Sequence, residues 1–367
     1  MKIKNIASVL LCGTLIFGMS AWCFFGPKDT YSKSERRELA KFPQVSVESV
    51  YNGSFAKDFE SYAVDTFPKR DLWRSLKAYT RLGLLAQKEN NDLYISQGHL
   101  SQIKYPVNKK MMDHAIELLT KVRDQHFPKS KVYFAMIPDK NNVLADLKID
   151  YAAFEKYMAE GLSFAENISI ADLLTAEDYY YTDTHWRQEQ ITDVADRLAA
   201  AMGTQLPGNY EQEKLTDEFY GVYAGQSGLN VEPDVLNVLT NDIIKNYNVM
   251  VFNEKGQVTK WNGVYDMSRL DGDDAYETFL GGAQPAIKIT NPSSTSGKRL
   301  IVFRDSFGSS ITPLLAQGYK EVIILDLRYI HSDVLGLPAL KPHIRFANAD
   351  VLFLYSTLVL NDSLSMK

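Results

Sequence analysis

Hydrophobic positions along this chain follow three rhythms. Towards the C-terminus, short and nearly continuous apolar runs occupy Arg299–Phe303, Glu321–Leu327 and Asp350–Tyr355, with a helix predicted over Gly308–Gln317. An earlier run, Lys131–Ile137, has the same form. It lies between Asp113–Arg123, which is amphipathic at helical spacing, and Gln188–Met202, a helix rich in Ala and Leu with charge on its outer face. Strands that are apolar on both faces and alternate with helices predict an α/β domain: a parallel sheet with helices on both faces. Ligands of such sheets bind beyond the carboxyl ends of the strands.

The second rhythm covers Ser46–Gln87, where Val50, Tyr51, Phe55, Phe59 and Tyr62, then Leu72, Trp73, Leu76, Tyr79 and Leu82, recur at helical spacing. Two or three short helices broken at Phe67-Pro68 are expected, forming a helical cap on the main domain. The polar, basic stretch before them, Tyr31-Ser-Lys-Ser-Glu-Arg-Arg-Glu38, reads as a stalk. The third rhythm runs from about Gly203 to Ser296. Its short alternating stretches, Asn248–Phe252, Val258–Trp261 and Ala286–Thr290, are punctuated by Gly and Asn and predict a β-rich insertion between two halves of the α/β domain. The expected organisation is a signal anchor over 1–26, stalk and helical cap over 27–95, the first half of the domain over 96–202, the insertion over 203–297, and the second half over 298–367.

The N-terminal segment decides the compartment. Lys2 and Lys4 precede Ile6–Phe25, a run of uncharged residues that matches the roughly 20 needed for a helix to cross a hydrocarbon core. Positive charge ahead of it keeps the N-terminus inside, so the rest of the chain is expected outside the cytoplasm, as a single-pass membrane protein. A cleavable signal peptide is the competing reading. Its one small-x-small candidate, Gly18-Met-Ser20, lies within the apolar run rather than after it. Cys12 and Cys23 both fall in this run, so with an anchor the exported part has no thiol and no Cys-based metal site.

Composition changes the picture little. Of 367 residues, 45% are hydrophobic and 23% charged, as in a folded protein, and the net charge of −5 with no basic stripe argues against a nucleic-acid partner.

Two segments carry the candidate chemistry. Phe303-Arg-Asp-Ser-Phe-Gly308 stands where a buried strand ends and a helix begins. Ser306 there would sit on a tight turn, with N–H groups of the helix start free to receive an oxyanion. A plain helix cap by Asp305 or Ser306 is the alternative. In Tyr180-Tyr-Thr-Asp-Thr-His-Trp-Arg187, Asp183 and His185 are two apart and share a face of an extended stretch. A serine needs a base to take its proton, and the base needs a carboxylate to fix its tautomer. A capped turn is the structural alternative here, and a metal pair would lack an evident third ligand.

The pairing of Thr-Asp-Thr-His-Trp with a later strand-Arg-Asp-Ser-Phe-Gly resembles the SGNH-hydrolase-like domain of the alginate O-acetyltransferases and the related DHHW family of Gram-positive bacteria. Ser34-Glu-Arg-Arg-Glu-Leu-Ala-Lys-Phe-Pro43 and Asp65-Thr-Phe-Pro-Lys-Arg-Asp71 also look like that family's N-terminal region, so the resemblance spans most of the exported part. It implies a flavodoxin-like (SGNH) sheet and a Ser306–His185–Asp183 triad with no cofactor. It further implies O-acetylation of an exported polysaccharide, with a membrane-bound O-acyltransferase as acyl donor. Two positions depart from the pattern. Thr184 stands where the DHHW name expects His, and Arg304 precedes Asp305-Ser306 where SGNH enzymes carry Gly, which bears on the oxyanion geometry.

Supporting residues follow from position alone. Arg328 and Tyr329, beyond a strand, and Lys140, after another, are candidates for substrate contact, as is Tyr181 beside Asp183. His99, His114, His126, His331 and His343 read as surface or packing residues. The expected reaction is acyl transfer through Ser306. An esterase using the same triad and a non-catalytic polysaccharide-binding or scaffold protein are the alternatives.

Overall fold

The computed structural model describes residues 2–145, 148–253, 255–330, 344 and 347–367. The chain divides into two compact units, one made of Met1–Asn91 with Ala224–Val231, the other of Asp92–Tyr223 with Glu232–Lys367.

The second unit is built on one eight-stranded sheet. Its order is Val258–Trp261, Asn248–Phe252, Ala286–Thr290, Glu321–Leu325, Arg299–Arg304, Asp350–Ser356, Val132–Ile137 and Glu166–Asn167. The last five run parallel, four of them as the buried apolar runs predict, while the fifth, Glu166–Asn167, is short and exposed. Period-two alternation sorts their side chains between two cores. Tyr133, Ala135, Leu300, Val302, Leu352 and Leu354 pack with helices Thr192–Ala201 and Gly308–Leu315 on one side. Phe134, Met136, Ile301, Phe303, Val351 and Phe353 pack with Lys109–His126 and Tyr151–Gly161 on the other. The sheet is therefore covered on both faces.

The three alternating stretches of region 203–297 form strands, but all three continue the main sheet. Ala286–Thr290 pairs antiparallel with Glu321–Leu325, Asn248–Phe252 with Ala286–Thr290, and Val258–Trp261 with Asn248–Phe252. Val249, Val251, Ile287 and Ile289 enter the same core as the parallel strands, which is why the region does not stand apart. The outermost strand ends the sheet with exposed Val258, Thr259 and Lys260, a polar edge that discourages further pairing. The remaining strands, Glu211–Phe219 and Asp234–Thr240, form a hairpin.

In the first unit, Lys2–Phe25 is a helix, and Asn5–Phe25 is long and apolar enough to cross a membrane. Helices Val47–Tyr51, Ser54–Asp65 and Arg70–Tyr79 follow, with the expected break at Phe67-Pro68. The stretch read as a stalk is instead bound into this unit. Arg37 grips Asp65 through two bonds of 2.6 and 2.8 Å, Ala40 N–H donates to the same carboxylate, and Glu35 pairs with Arg70 and Arg74. Charged residues that composition marks as solvated, Arg37 and Glu35, are instead paired with charges of opposite sign on the helices.

Candidate active site

The strand Arg299–Arg304 lies inside the parallel part of the sheet, and its carboxyl end delivers Asp305-Ser306 to the edge where ligands of such sheets bind. Every residue from Leu300 to Tyr319 is buried except Ser306, which is partly open to solvent. Asp305 shapes the turn. Its Oδ1 accepts from Phe307 N–H at 3.0 Å and its Oδ2 from Ser356 N–H at 2.7 Å, locking the turn to the neighbouring strand.

The histidine arrives from Tyr180–Arg187, an irregular loop closed by the Tyr179–Trp186 bridge and a Tyr180 N–H to His185 O bond. His185 Nε2 lies 2.8 Å from Ser306 Oγ and its Nδ1 lies 2.5 Å from Asp183 Oδ1. Asp183 is 1% exposed. Burial opposes its ionisation, yet the facing imidazole and the N–H groups of Val222 and His185 overcome that cost and hold the carboxyl well below the usual carboxylate range. An ionised, immobile Asp183 fixes the proton on Nδ1 and leaves Nε2 as acceptor for the Ser306 hydroxyl.

The loop is held by residues that sequence reasoning did not single out. Asp234, from the hairpin, accepts from Tyr181 N–H, Thr182 N–H and the Thr182 hydroxyl at 2.6–2.8 Å. Gly221 passes so close that a Cβ there would lie 2.3 Å from Asp183 Cβ, so only glycine lets Val222 N–H reach the carboxylate at 2.8 Å. Tyr276 stacks on the His185 ring at 3.9 Å and 6°, and its hydroxyl lies 3.1 Å from Ser310 Oγ. Trp186 Nε1 donates to Phe307 O and Ser310 Oγ, tying the histidine loop to the serine helix. Gly221, Asp234 and Tyr276 are separated from the triad residues by dozens of positions, and none sits in a motif. Thr184 bonds to the Tyr223 hydroxyl at 3.1 Å, so the position where the DHHW pattern has His serves the frame of the loop.

The helix start does not offer the donors expected of it. Phe307 N–H is taken by Asp305 Oδ1, Gly308 N–H by Asp305 O and Ser309 N–H by Ser306 O. Among the described residues, nothing accepts from Ser306 N–H, which is the backbone donor left at the turn. Arg304, in the place of the usual Gly, points away from solvent. It is 1% exposed, and its guanidinium reaches Asp326 and Gly282 O, each at 3.2 Å.

The predicted supporting residues fare differently. Lys140 is corrected: it is 2% exposed, donates to Tyr180 O at 2.8 Å and lies over the Tyr223 ring, so it holds the histidine loop from inside and is closed to a sugar. Burial pushes its ammonium down to about 7 against the pull of Asp183, Asp234 and Asp139. Arg328 clamps Asp326 with two bonds of 2.9 and 2.7 Å, and Asp326 also receives Arg304, so Arg328 braces the serine turn through one shared carboxylate. Tyr329 and Tyr181 are exposed, the latter stacked on His99 at 4.2 Å. His331 and His343 lie outside the described residues. No group of three or more His, Cys, Asp or Glu side chains suited to a metal ion occurs among the described residues.

The fold has solved counterparts. A DHHW family protein from Eubacterium siraeum superposes with a TM-score of 0.58 at 18% identity, covering 76% of this chain and 94% of its own. PatB1 from Bacillus cereus superposes at 0.60 and 19% identity over 74% of this chain and 97% of its own. A second structure of PatB1, with a sulfonyl adduct, gives 0.59 at 20%. At these identities the likeness is one of fold. A search of curated proteins finds no match. Residues 170–325, which span the histidine loop, the strands of the insertion and the serine strand, match the DHHW protein family, in line with the resemblance carried by the Thr-Asp-Thr-His-Trp and Arg-Asp-Ser-Phe-Gly segments.

Proposed function

We propose that this chain is a serine O-acyltransferase, held at the outer face of the membrane by its N-terminal helix, that transfers an acetyl or similar acyl group to hydroxyls of an exported polysaccharide. The reading rests on one observation: a continuous Ser306–His185–Asp183 chain with separations of 2.8 and 2.5 Å. A capped turn or a bare scaffold has no need for that alignment.

That alignment supports the following steps. His185 Nε2 takes the Ser306 proton as Oγ attacks the donor's acyl carbonyl, and Ser306 N–H receives the oxyanion. The tetrahedral species collapses, the donor's oxygen leaves with the proton from His185, and the acyl group stays on Oγ. A sugar hydroxyl then gives its proton to His185 and attacks the acyl carbon, and Ser306 Oγ leaves with that proton from His185, restoring the free serine. Water in the acceptor's role would make the same site an esterase. The tether favours transfer, because it keeps Ser306 beside a donor borne by a membrane-bound O-acyltransferase.

Two measurements test this. The detergent-solubilised chain is expected to hydrolyse p-nitrophenyl acetate, with Ser306→Ala and His185→Ala each reducing kcat by roughly 10³-fold or more. Phenylmethanesulfonyl fluoride is expected to sulfonylate Ser306 Oγ with loss of fluoride, adding the mass of the sulfonyl group to the peptide that holds Ser306. A folded protein inert in both assays would favour the binding or scaffold reading.

A further inference from the structure

A cleft of about 630 Å³, within the range of roughly 300–1,000 Å³ typical of small-ligand sites, lies apart from the triad. None of Ser306, His185 and Asp183 lines it. Its long wall is the outermost strand and the turn after it, Lys260–Ser268, and the facing wall includes Glu213, Thr240 and Lys245. Trp261 is half-buried and Met267 is exposed, giving an apolar floor, while Asn262 presents an amide to solvent and the Ser268 hydroxyl, donating to Asp266 Oδ1 at 2.6 Å, keeps its oxygen as an acceptor. The charges balance: Glu213 and Asp266 against Lys245 and Lys260, with Lys245 already held by Glu211 at 2.9 Å. Such a surface has no excess charge with which to prefer a polyanion. It offers an aromatic face for the C–H side of a sugar ring and short polar groups for its hydroxyls.

The cleft is preformed and joined to the active site by one excursion of the chain. Gly281 packs under the indole of Trp261, where a Cβ would lie 2.0 Å from the ring, and it has a left-handed φ of +65°. Val264–Asp266 is paired with Thr278–Leu280 through Leu280 N–H to Val264 O at 2.9 Å and Asp266 N–H to Thr278 O at 2.8 Å. Two residues before Thr278 stands Tyr276, stacked on His185, and Gly282 O accepts from Arg304, two residues before Ser306. The first half of residues 261–282 thus walls the cleft and the second half supports the histidine and the serine turn.

We infer that this cleft is a glycan subsite that holds an uncharged stretch of the polysaccharide acceptor by stacking on Trp261. The inference rests on the acyl-transfer reading for the word acceptor, while the binding itself stands apart from it. The test is affinity electrophoresis of the detergent-solubilised full chain in native gels cast with hydroxyethyl cellulose, galactomannan or glycol chitin, and with alginate as the anionic comparison. Retardation by at least one neutral polymer is expected, weakened about tenfold in Trp261→Ala and Asn262→Ala and largely kept in Trp261→Phe. Ser306→Ala, which removes the acyl chemistry, should be retarded like wild type. Should Trp261→Ala melt early, Asn262→Ala and Trp261→Phe carry the decision. The proposal falls if no neutral polymer retards the wild type, if Trp261→Ala and Asn262→Ala run as wild type does, or if only alginate retards the chain. Hydrolysis of p-nitrophenyl acetate without retardation counts against the cleft alone, and retardation without hydrolysis counts against acyl transfer alone.

Discussion

Asp183 is ionised against its own burial, and the cost is met by a short list of donors. His185 faces it at 2.5 Å, and N–H groups of His185 and Val222 close on its two oxygens. Asp183→Asn keeps the volume but can donate as well as accept, which allows the imidazole to flip its tautomer and turn a protonated Nε2 towards Ser306. A fall in kcat of roughly 10³- to 10⁴-fold is expected, with KM little changed, measured by steady-state hydrolysis of p-nitrophenyl acetate. Lys140 makes the opposite case: a cation held at a depressed pKa of about 7, below its unfolded value of about 10.4. Between those values the unfolded chain binds more protons than the folded one, so this residue makes stability rise with pH across that window, its burial penalty being fully present below about pH 7. Urea midpoints at pH 7, 8 and 9 are expected to climb in wild type, and that climb should flatten in Lys140→Met. Equal slopes would show that Lys140 is not the source. That Ser306, His185 and Asp183 lie side by side was legible in the sequence because all three fall in two short segments. Lys140 was misread because a lysine after a strand carries no mark of whether its stem points into the loop above it.

At the scale of elements, the histidine loop and the serine helix depend on polar groups that cross between them. Gln188 donates from Nε2 to Ser310 O at 2.6 Å and accepts from Leu239 N–H on Oε1, also at 2.6 Å, so one amide joins the histidine segment, the serine helix and the hairpin. Gln188 is fully buried. Gln188→Leu has nearly the right shape but would strand a carbonyl and an N–H, each costing about 1–3 kcal/mol. A loss of roughly 2–4 kcal/mol in unfolding free energy is expected from denaturant titration, and a change under 0.5 kcal/mol would mean that water or relaxation replaces the amide. The parallel strands were readable from their continuous apolar runs, since a strand buried on both faces has no polar alternation. The antiparallel extension was readable only as strands. Val249 and Val251 alternate as they would in any half-buried sheet, and alternation names no partner. Their partner is Ala286–Thr290, which in turn pairs with Glu321–Leu325, the outer strand of the parallel part, a choice set by long-range packing rather than by local pattern.

For the whole molecule, the question is whether chemistry and membrane stay on one chain. Asn5–Phe25 suffices in length and apolarity to cross a bilayer, and the residues that follow it are tied down early by the Arg37–Asp65 and Glu35–Arg70 pairs. A helix of about 20 apolar residues that is never cut would make Ser306 a membrane-bound nucleophile, and its acceptor a polymer passing at the surface. A helix removed as a leader would release a soluble enzyme, for which water is as available as any sugar and hydrolysis the natural outcome. The expectation is therefore that the chain, expressed with a C-terminal tag, stays with membranes through alkaline carbonate extraction, while the tag is cut by protease added outside intact cells. Recovery in the soluble fraction with a new N-terminus near Ser20 would remove the tether, and with it the reason to prefer transfer over hydrolysis. Retention with a protected tag would reverse the topology and take the site away from any exported polysaccharide.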